Sequence, residues 1–330
     1  MQATSPQAPK RDHGGGVDGA IACFGGQRSD WIDLSTGINP VPYPLGQVPA
    51  SAWGALPDQA ASDALLATAR ALWQVPKDAA ILAAPGASAL IARLPALRPK
   101  GRVVIEGPTY NEHAAGFQAA GWQVQTTHAP GPATARVIVH PNNPTGQWHS
   151  DFTPDTDFSV IDESFCDVAP NRSLLPRLDL QKSLVLKSFG KFWGLAGLRL
   201  GFAIGNPADI AKLAQMLGPW PVSGPAMHIG ARALADHDWA KATRARLAAD
   251  AARMDGEMAA QNAVPLGGTT LFRLYQVGDA VAWQAHLARA HIWSRVFPYA
   301  GNWLRLGLPA PKAWPRVSAA IASATAKDVR

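Results

Sequence analysis

The chain has 330 residues, enough for two domains or for one large α/β domain with a smaller appendage. Apolar residues make up 47% and charged residues 16%, which excludes a disordered chain, and no run of eighteen apolar residues marks a membrane span. The formal net charge of +6 is scattered, with no basic strip laced with aromatics, so small anionic ligands are expected as partners rather than nucleic acid.

The first twenty residues lack the apolar stretch of a secretory signal, and Cys23 and Cys166 have neither metal-ligand spacing nor the number a disulfide framework needs. A soluble cytoplasmic protein is expected. Residues 1–45 are rich in Gly and Pro and close with STGINPVPYP; they read as an extended arm with little regular structure, which must lie against something else. In DQAASDALLATARALWQV, Leu65, Leu66, Ala69, Leu72 and Trp73 recur at helical intervals, and Pro76 stops the run. Short apolar or β-branched runs then follow: AILAAP, RVVIEGP, WQVQTT, ARVIVHPNN, FSVIDES, SLVLKSF and LGFAIG. ASALIARLPAL and NEHAAGFQAAG supply helices between the earlier ones, and the alternation predicts a mostly parallel sheet with helices on both faces. After Pro225 the pattern turns to helices, AMHIGARALADH, ARLAADAARMDGEMAAQ and AVAWQAHLARA, with LFRLYQV, IWSRVF and WLRLGL as later strands. A large domain over 46–225 and a smaller α+β domain over 226–330 are expected.

Three stretches carry chemistry. HPNNPTG, residues 140–146, follows a strand directly, where Asn142 and Asn143 would project amides into the crevice beyond a parallel sheet; the same residues also make an ordinary turn. VIDESF places Asp162 and Glu163 at the end of the next strand, as a base, a metal ligand, a partner for a protonated ring nitrogen, or a helix cap. LVLKSFGKFWGLAGLRLGF offers Lys191 beyond a third strand with Arg199 eight positions on, whereas Lys187 reads as structural. An amide, a carboxylate and a lysine in strand-end loops of one sheet are the groups a pyridoxal phosphate site needs.

The order Asn-Pro-Thr-Gly, Asp-Glu, Ser-x-x-Lys and Gly-Leu-Arg-x-Gly resembles the aspartate-aminotransferase-like fold, fold type I of the pyridoxal-phosphate enzymes, in the branch that includes histidinol-phosphate aminotransferase. The resemblance implies that Lys191 carries the cofactor covalently, that Asp162 pairs with its pyridinium nitrogen, and that Asn143 bonds its phenolic oxygen. Tyr110 matches the aromatic that stacks on the ring, and Ser188, Arg199 and the helix-opening amides of Ala87 and Ser88 would hold its phosphate. A homodimer is implied as well, since this fold usually completes its site across a two-fold interface.

Within this fold, HGG at 13–15 and IDLSTGINP at 32–40 resemble the threonine-phosphate decarboxylases of cobalamin synthesis more than any aminotransferase. So does DESF, with Phe165 where histidinol-phosphate aminotransferases usually carry Tyr. Two departures weaken supporting contacts: Gly190 replaces a common Ser or Thr, and Leu56 stands where relatives often have a tyrosine reaching across the dimer. By the same resemblance Arg305 grips the substrate α-carboxylate with help from Asn39, while Arg295 and His13, with Arg28 a further candidate, take the substrate phosphate. The expected activity is decarboxylation of L-threonine O-3-phosphate, with a histidinol-phosphate type of aminotransferase as the alternative. A transcription regulator on this fold would need a DNA-binding module, and twelve residues precede His13.

Overall fold

The computed structural model describes residues 12–126, 133–150 and 152–324. Residues 1–11 of the expected arm, Thr127 of the WQVQTT run and the last six residues of the expected C-terminal domain lie outside them.

The expected helix after Asp58 forms as α3 (Gln59–Leu72), following α1 (Val17–Phe24), β1 (Ile32–Asp33) and α2 (Ala50–Gly54). Asp58 caps α3 by accepting from Ala61 N at 2.8 Å, and Leu65 and Ala69 form its buried stripe. Strands and helices then alternate: β2 (Ala80–Ala84), α4 (Ala87–Ile91), β3 (Arg102–Ile105), α5 (Asn111–Ala119), β4 (Gln123–Gln125), β5 (Ala135–Val139), β6 (Ser159–Asp162), β7 (Ser183–Ser188) and β8 (Gly201–Gly205). They build a seven-stranded sheet in the order β2-β8-β7-β6-β5-β3-β4. Pairings from β7 through β4 are parallel, whereas β8 runs antiparallel to both its neighbours. The α/β reading with a mostly parallel sheet holds. Its central strands are buried on both faces, with Ile138, Ile161, Val185 and Ile204 in one core layer and Val137, Val160, Leu184 and Ala203 in the other.

The second half contains α6 (Pro207–Leu217), α7 (Gly224–Ala235), α8 (His237–Ala259), β9 (Val264–Thr269), β10 (Phe272–Gln276), α9 (Ala280–Arg289), β11 (Ile292–Trp293), β12 (Arg295–Phe297), β13 (Ala300–Gly307) and α10 (Trp314–Ala322). A four-stranded antiparallel sheet, β12-β13-β10-β9, forms here. β9 was not expected, because Pro265, Gly267 and Gly268 are poor strand formers that sequence pattern assigns to a turn. The run IWSRVF divides at Ser294: β12 joins this sheet, and β11 pairs in parallel with β1 of the arm.

The arm has more order than its composition predicts. Val17 and Ala20 of α1 pack with Trp31 and Ala288, so burial against the C-terminal half holds a helix that has no side-chain cap. Farther along, the arm crosses Gly194, where a Cβ would lie 2.6 Å from Pro42 Cα and 2.8 Å from Asn39 O. Only glycine fits that crossing, at a φ of 72°.

Behind the sheet, Lys187 Nζ donates to Glu163 Oε2 at 2.6 Å, and Glu163 also accepts from Ser173 Oγ and Leu174 N, each at 2.7 Å. Burial raises the Glu163 carboxyl and lowers the Lys187 ammonium, but their attraction reverses both shifts: Glu163 ends below, and Lys187 above, its ordinary value. Lys187 is structural, as expected. Lys187→Met keeps the length but strands a buried carboxylate, so it should cost about 3–5 kcal/mol in urea unfolding followed by tryptophan fluorescence. A loss below about 1 kcal/mol, the scale of an exposed pair, would show that the pair does not hold this face of the sheet.

Candidate active site

Two adjoining cavities lie beyond the carboxyl ends of β5, β6 and β7, and both are lined by Tyr110, Asn143, Phe165 and Lys191. The inner one adds Ala87, Ser88, Asp162, Ser164, Ser188 and Arg199. The outer one adds Asp12, His13, Thr36, Arg295, Tyr299 and Arg305. Ligands of open α/β sheets bind at such strand ends.

Asp162 forms the floor of the inner cavity. His113 Nε2, from α5, lies 2.8 Å from its Oδ2, while Ser164 donates to Oδ1 from its backbone N at 3.0 Å and from its Oγ. Burial pushes the Asp162 carboxyl up, and the His113 and Ser164 contacts more than offset it, holding the group below the usual carboxylate range. Asp162 is therefore an anion inside the protein. Because a carboxylate only accepts, Nε2 is the His113 nitrogen that bears the proton.

Lys191 stands in the loop after β7, its carbonyl accepting from Asn39 N at 3.0 Å and Gly194 N at 3.1 Å. Its Nζ lies 5.3 Å from the centroid of the Phe165 ring, which is itself packed edge-on against Phe272. Desolvation first and then Arg305 depress its pKa to about 8; Asp162 opposes them and Arg199 adds to them. A substantial fraction is therefore the free amine at neutral to slightly alkaline pH.

Arg305, on β13, is buried and reaches across both halves of the fold. Its Nη2 donates to Ser35 O of the arm at 2.6 Å, and its Nη1 donates to Asn143 Oδ1. That second bond leaves the Nδ2 of Asn143 as the donor for a ligand. Arg305 Nε is buried with no hydrogen-bond partner among the described residues. Desolvation first, then the nearby Arg295, lower Arg305 to about 10, and it stays charged at neutral pH. At the cavity mouth Arg295 donates to both carboxylate oxygens of Asp12, at 2.6 and 2.7 Å, and His13 Nε2 lies 2.9 Å from Glu112 Oε1.

These residues fit the cofactor that the sequence implies. Among the described residues, no carboxylate lies within ion-pair distance of Lys191, Arg199 or Arg305, so the cavities are net cationic around the single buried anion Asp162. At one end of the inner cavity Arg199 lies against Gly86, and a Cβ on Gly201 would come within 2.5 Å of Ala87 N. Glycine at these two positions lets Arg199 and the start of α4 pack closely, so the guanidinium, the first amides of α4 and the Ser188 hydroxyl line the same end of the cavity, a donor set that suits a phosphate.

Some expectations are corrected. Asn39 lines neither cavity: its Nδ2 donates to Phe192 O at 2.8 Å and its Oδ1 accepts from Val41 N and from Arg246, so it braces the Lys191 loop instead of helping with substrate. Asn142 is turned away from the crevice, donating to Pro108 O and Thr145 Oγ1 and accepting from Thr109 Oγ1. Arg28 is exposed on a short 3-10 turn and lines neither cavity. Glu163 faces Lys187 on the other side of the sheet. Sequence reasoning missed His113, Ser164, Asp12 and Tyr299. His113 was visible one turn after Tyr110 in NEHAAG, and Ser164 two residues after Asp162; the Asp12–Arg295 pair spans 283 positions and left no local signal.

Residues 50–316 match the aminotransferase class I and II family model. The chain is 40% identical to a threonine-phosphate decarboxylase of Sinorhizobium sp. over 90% of this chain and 92% of that one. It is 36% identical to a threonine-phosphate decarboxylase of Pseudomonas aeruginosa over 94% and 97%. Among solved structures it superposes on a histidinol-phosphate aminotransferase from Sinorhizobium meliloti in complex with pyridoxal-5'-phosphate, with a TM-score of 0.80 at 20% identity over 98% of both chains. The L-threonine-O-3-phosphate decarboxylase from Porphyromonas gingivalis gives 0.71 at 16% identity, over 88% of this chain and 94% of that one. With its sheet order, its strand-end lysine and carboxylate, and a match covering most of its length, the chain belongs to the class I and II aminotransferase family.

Proposed function

We propose that this chain decarboxylates L-threonine O-3-phosphate to (R)-1-aminopropan-2-yl phosphate and CO2, with pyridoxal 5'-phosphate as cofactor, in cobalamin biosynthesis. The observation that carries the reading is the outer cavity: two arginines, Arg305 and Arg295, line the space that Lys191 also faces. A small amino acid that carries a carboxylate and a phosphate matches that pair of cations. The two relatives at 40% and 36% identity, both named threonine-phosphate decarboxylase, support the same assignment.

Pyridoxal phosphate, when bound, supplies a sink for the electron pair left when a bond at the substrate α-carbon breaks. Lys191 provides the amine that holds it. Asp162, fixed by His113 and Ser164, would pair with its ring nitrogen, Asn143 would offer Nδ2 to its ring oxygen, and Tyr110 would lie against its ring. Ser188, Arg199 and the amides of Ala87 and Ser88 would hold its phosphate. Arg305 grips the substrate carboxylate through its guanidinium, and Arg295 with His13 takes the substrate phosphate. Anchoring at both ends selects which bond at the α-carbon breaks. Lys191 Nζ, with a pKa near 8, is suited to deliver the proton that replaces CO2.

The arm over 1–45, a large cofactor domain over 46–225 and a small domain over 226–330 are the proposed divisions. Among the described residues no helix is long and apolar enough to cross a membrane, and a cytoplasmic location is proposed with it. Leu45, Trp53 and Leu56, each more than half exposed, support a homodimer.

Purified holoenzyme given L-threonine O-3-phosphate and no keto acid should release CO2, and Lys191→Ala should reduce the rate by at least about a thousandfold. Turnover that begins only after 2-oxoglutarate is added would replace this reading with an aminotransferase. The depressed pKa of Lys191 gives a second check, since a lowered lysine pKa means the neutral amine dominates above that value. Acetylation of Lys191 in the apo-protein, followed by mass spectrometry, should rise with a midpoint near pH 8. A midpoint at the ordinary lysine value of about 10.4 would refute the desolvated, unpaired environment.

A further inference from the structure

At the cavity mouth, the cation assigned to the substrate phosphate is already engaged by an anion. Arg295 donates Nη1 to Asp12 Oδ1 at 2.6 Å and Nη2 to Oδ2 at 2.7 Å, a bidentate pair of the geometry that Arg uses for phosphate. We propose that Asp12 is an intramolecular competitor for the substrate phosphate, occupying Arg295 in the ligand-free site and returning to it as product leaves. The proposal rests on the reading that Arg295 binds the substrate phosphate.

The surroundings favour exchange. The Asp12 side chain is 42% exposed, so a displaced carboxylate returns to water at little cost, whereas Arg295 is 12% exposed and depends on whichever anion sits against it. Displacement need not unseat the backbone. The Asp12 carbonyl separately accepts from Arg295 Nη2 at 3.0 Å and from Asn111 Nδ2 at 2.8 Å, and Gly15 N donates to Ser35 Oγ at 2.6 Å. The carboxylate can therefore swing away while the chain around it stays in place.

A competitor of this kind weakens every anion at Arg295 by the same factor, because apparent affinity falls with the fraction of sites left open. That uniform loss matters most for product. Substrate is held at both ends, by Arg305 and Arg295; the product has lost its carboxylate and keeps only the phosphate. Asp12 then competes against a ligand with one anchor, which hastens its release.

Calorimetric titration of inorganic phosphate into the holoenzyme reads the competition without relying on turnover. Asp12→Asn retains the backbone contacts and removes the charge. It should bind phosphate about fivefold more tightly than the native protein, the scale of a part-exposed ion pair, and should lower the inhibition constant of the product by a similar factor. Arg295→Gln should weaken phosphate more than about tenfold. Phosphate binding that is unchanged or weaker in Asp12→Asn, with Arg295→Gln still impaired, would overturn the competition and leave the phosphate assignment standing. Unchanged binding in Arg295→Gln would overturn both. Failure of the CO2 assay would instead sink the reaction, and the phosphate titration would still decide the role of Asp12.

Discussion

Successive residues at the end of a strand point to opposite faces of the sheet, and at the end of β6 those residues are Asp162 and Glu163, both buried. Two adjacent carboxylates cannot be buried as anions unless each finds its own partner. Glu163 finds Lys187 behind the sheet, and Asp162 finds His113 in front of it. Among the described residues, that separation leaves Lys191 without an ion pair. Two lysines four positions apart consequently move in opposite directions, Lys187 above its ordinary pKa and Lys191 down to about 8. One is a strut, and the other lines the cavity with a readily freed amine.

The rear partnership is also what fixes the loop that carries Lys191. Asp167 accepts from the indoles of Trp73 at 2.9 Å and Trp193 at 3.0 Å, and Trp193 stacks between Phe189 and Trp239. Phe189, Phe192 and Trp193 flank Lys191 in sequence and are all buried. The lysine is thus clamped from both sides by aromatic anchors, while Asn39 braces its backbone from the arm. Such rigid support is how a site holds a reactive group in one orientation.

Much of this was legible in the sequence. The parallel strands read as β-branched runs because both faces are buried, and the loops at their ends carried Asn143, Asp162, Ser188, Lys191 and Arg199 in order. Local pattern brought Asn143, Asp162 and Lys191 of the inner cavity together at consecutive strand ends, whereas Tyr110, Ser188 and the amides of Ala87 and Ser88 came from the family resemblance, and Ser164 was missed. The outer cavity was harder to read. Arg305 and Arg295 come from the second sheet and His13 from the arm, and only the family resemblance pointed to them. Asn39 was misassigned, and Asn142 was left open between crevice and turn, for a common reason: an amide beside a ligand and an amide bracing a loop have the same sequence appearance, and hydrogen-bond partners alone tell them apart. α1 was missed because its stability comes from Trp31 and Ala288, which no window of eight residues contains.

Arg305 is where the separately built parts meet. It originates on β13, donates to Ser35 O in the arm, and donates to Asn143 in the loop after β5. β1 of the arm pairs with β11, two residues before β12, so the arm is registered to the same stretch of chain that presents Arg295. The outer cavity therefore depends on three segments being held together, and no single sheet could supply it. Through Asn143 Oδ1 the same guanidinium sets the orientation of an amide that lines the inner cavity as well. Arg305 and Asn143 are consequently one hydrogen-bonded unit, and a change at Arg305 alters the inner cavity along with the outer one.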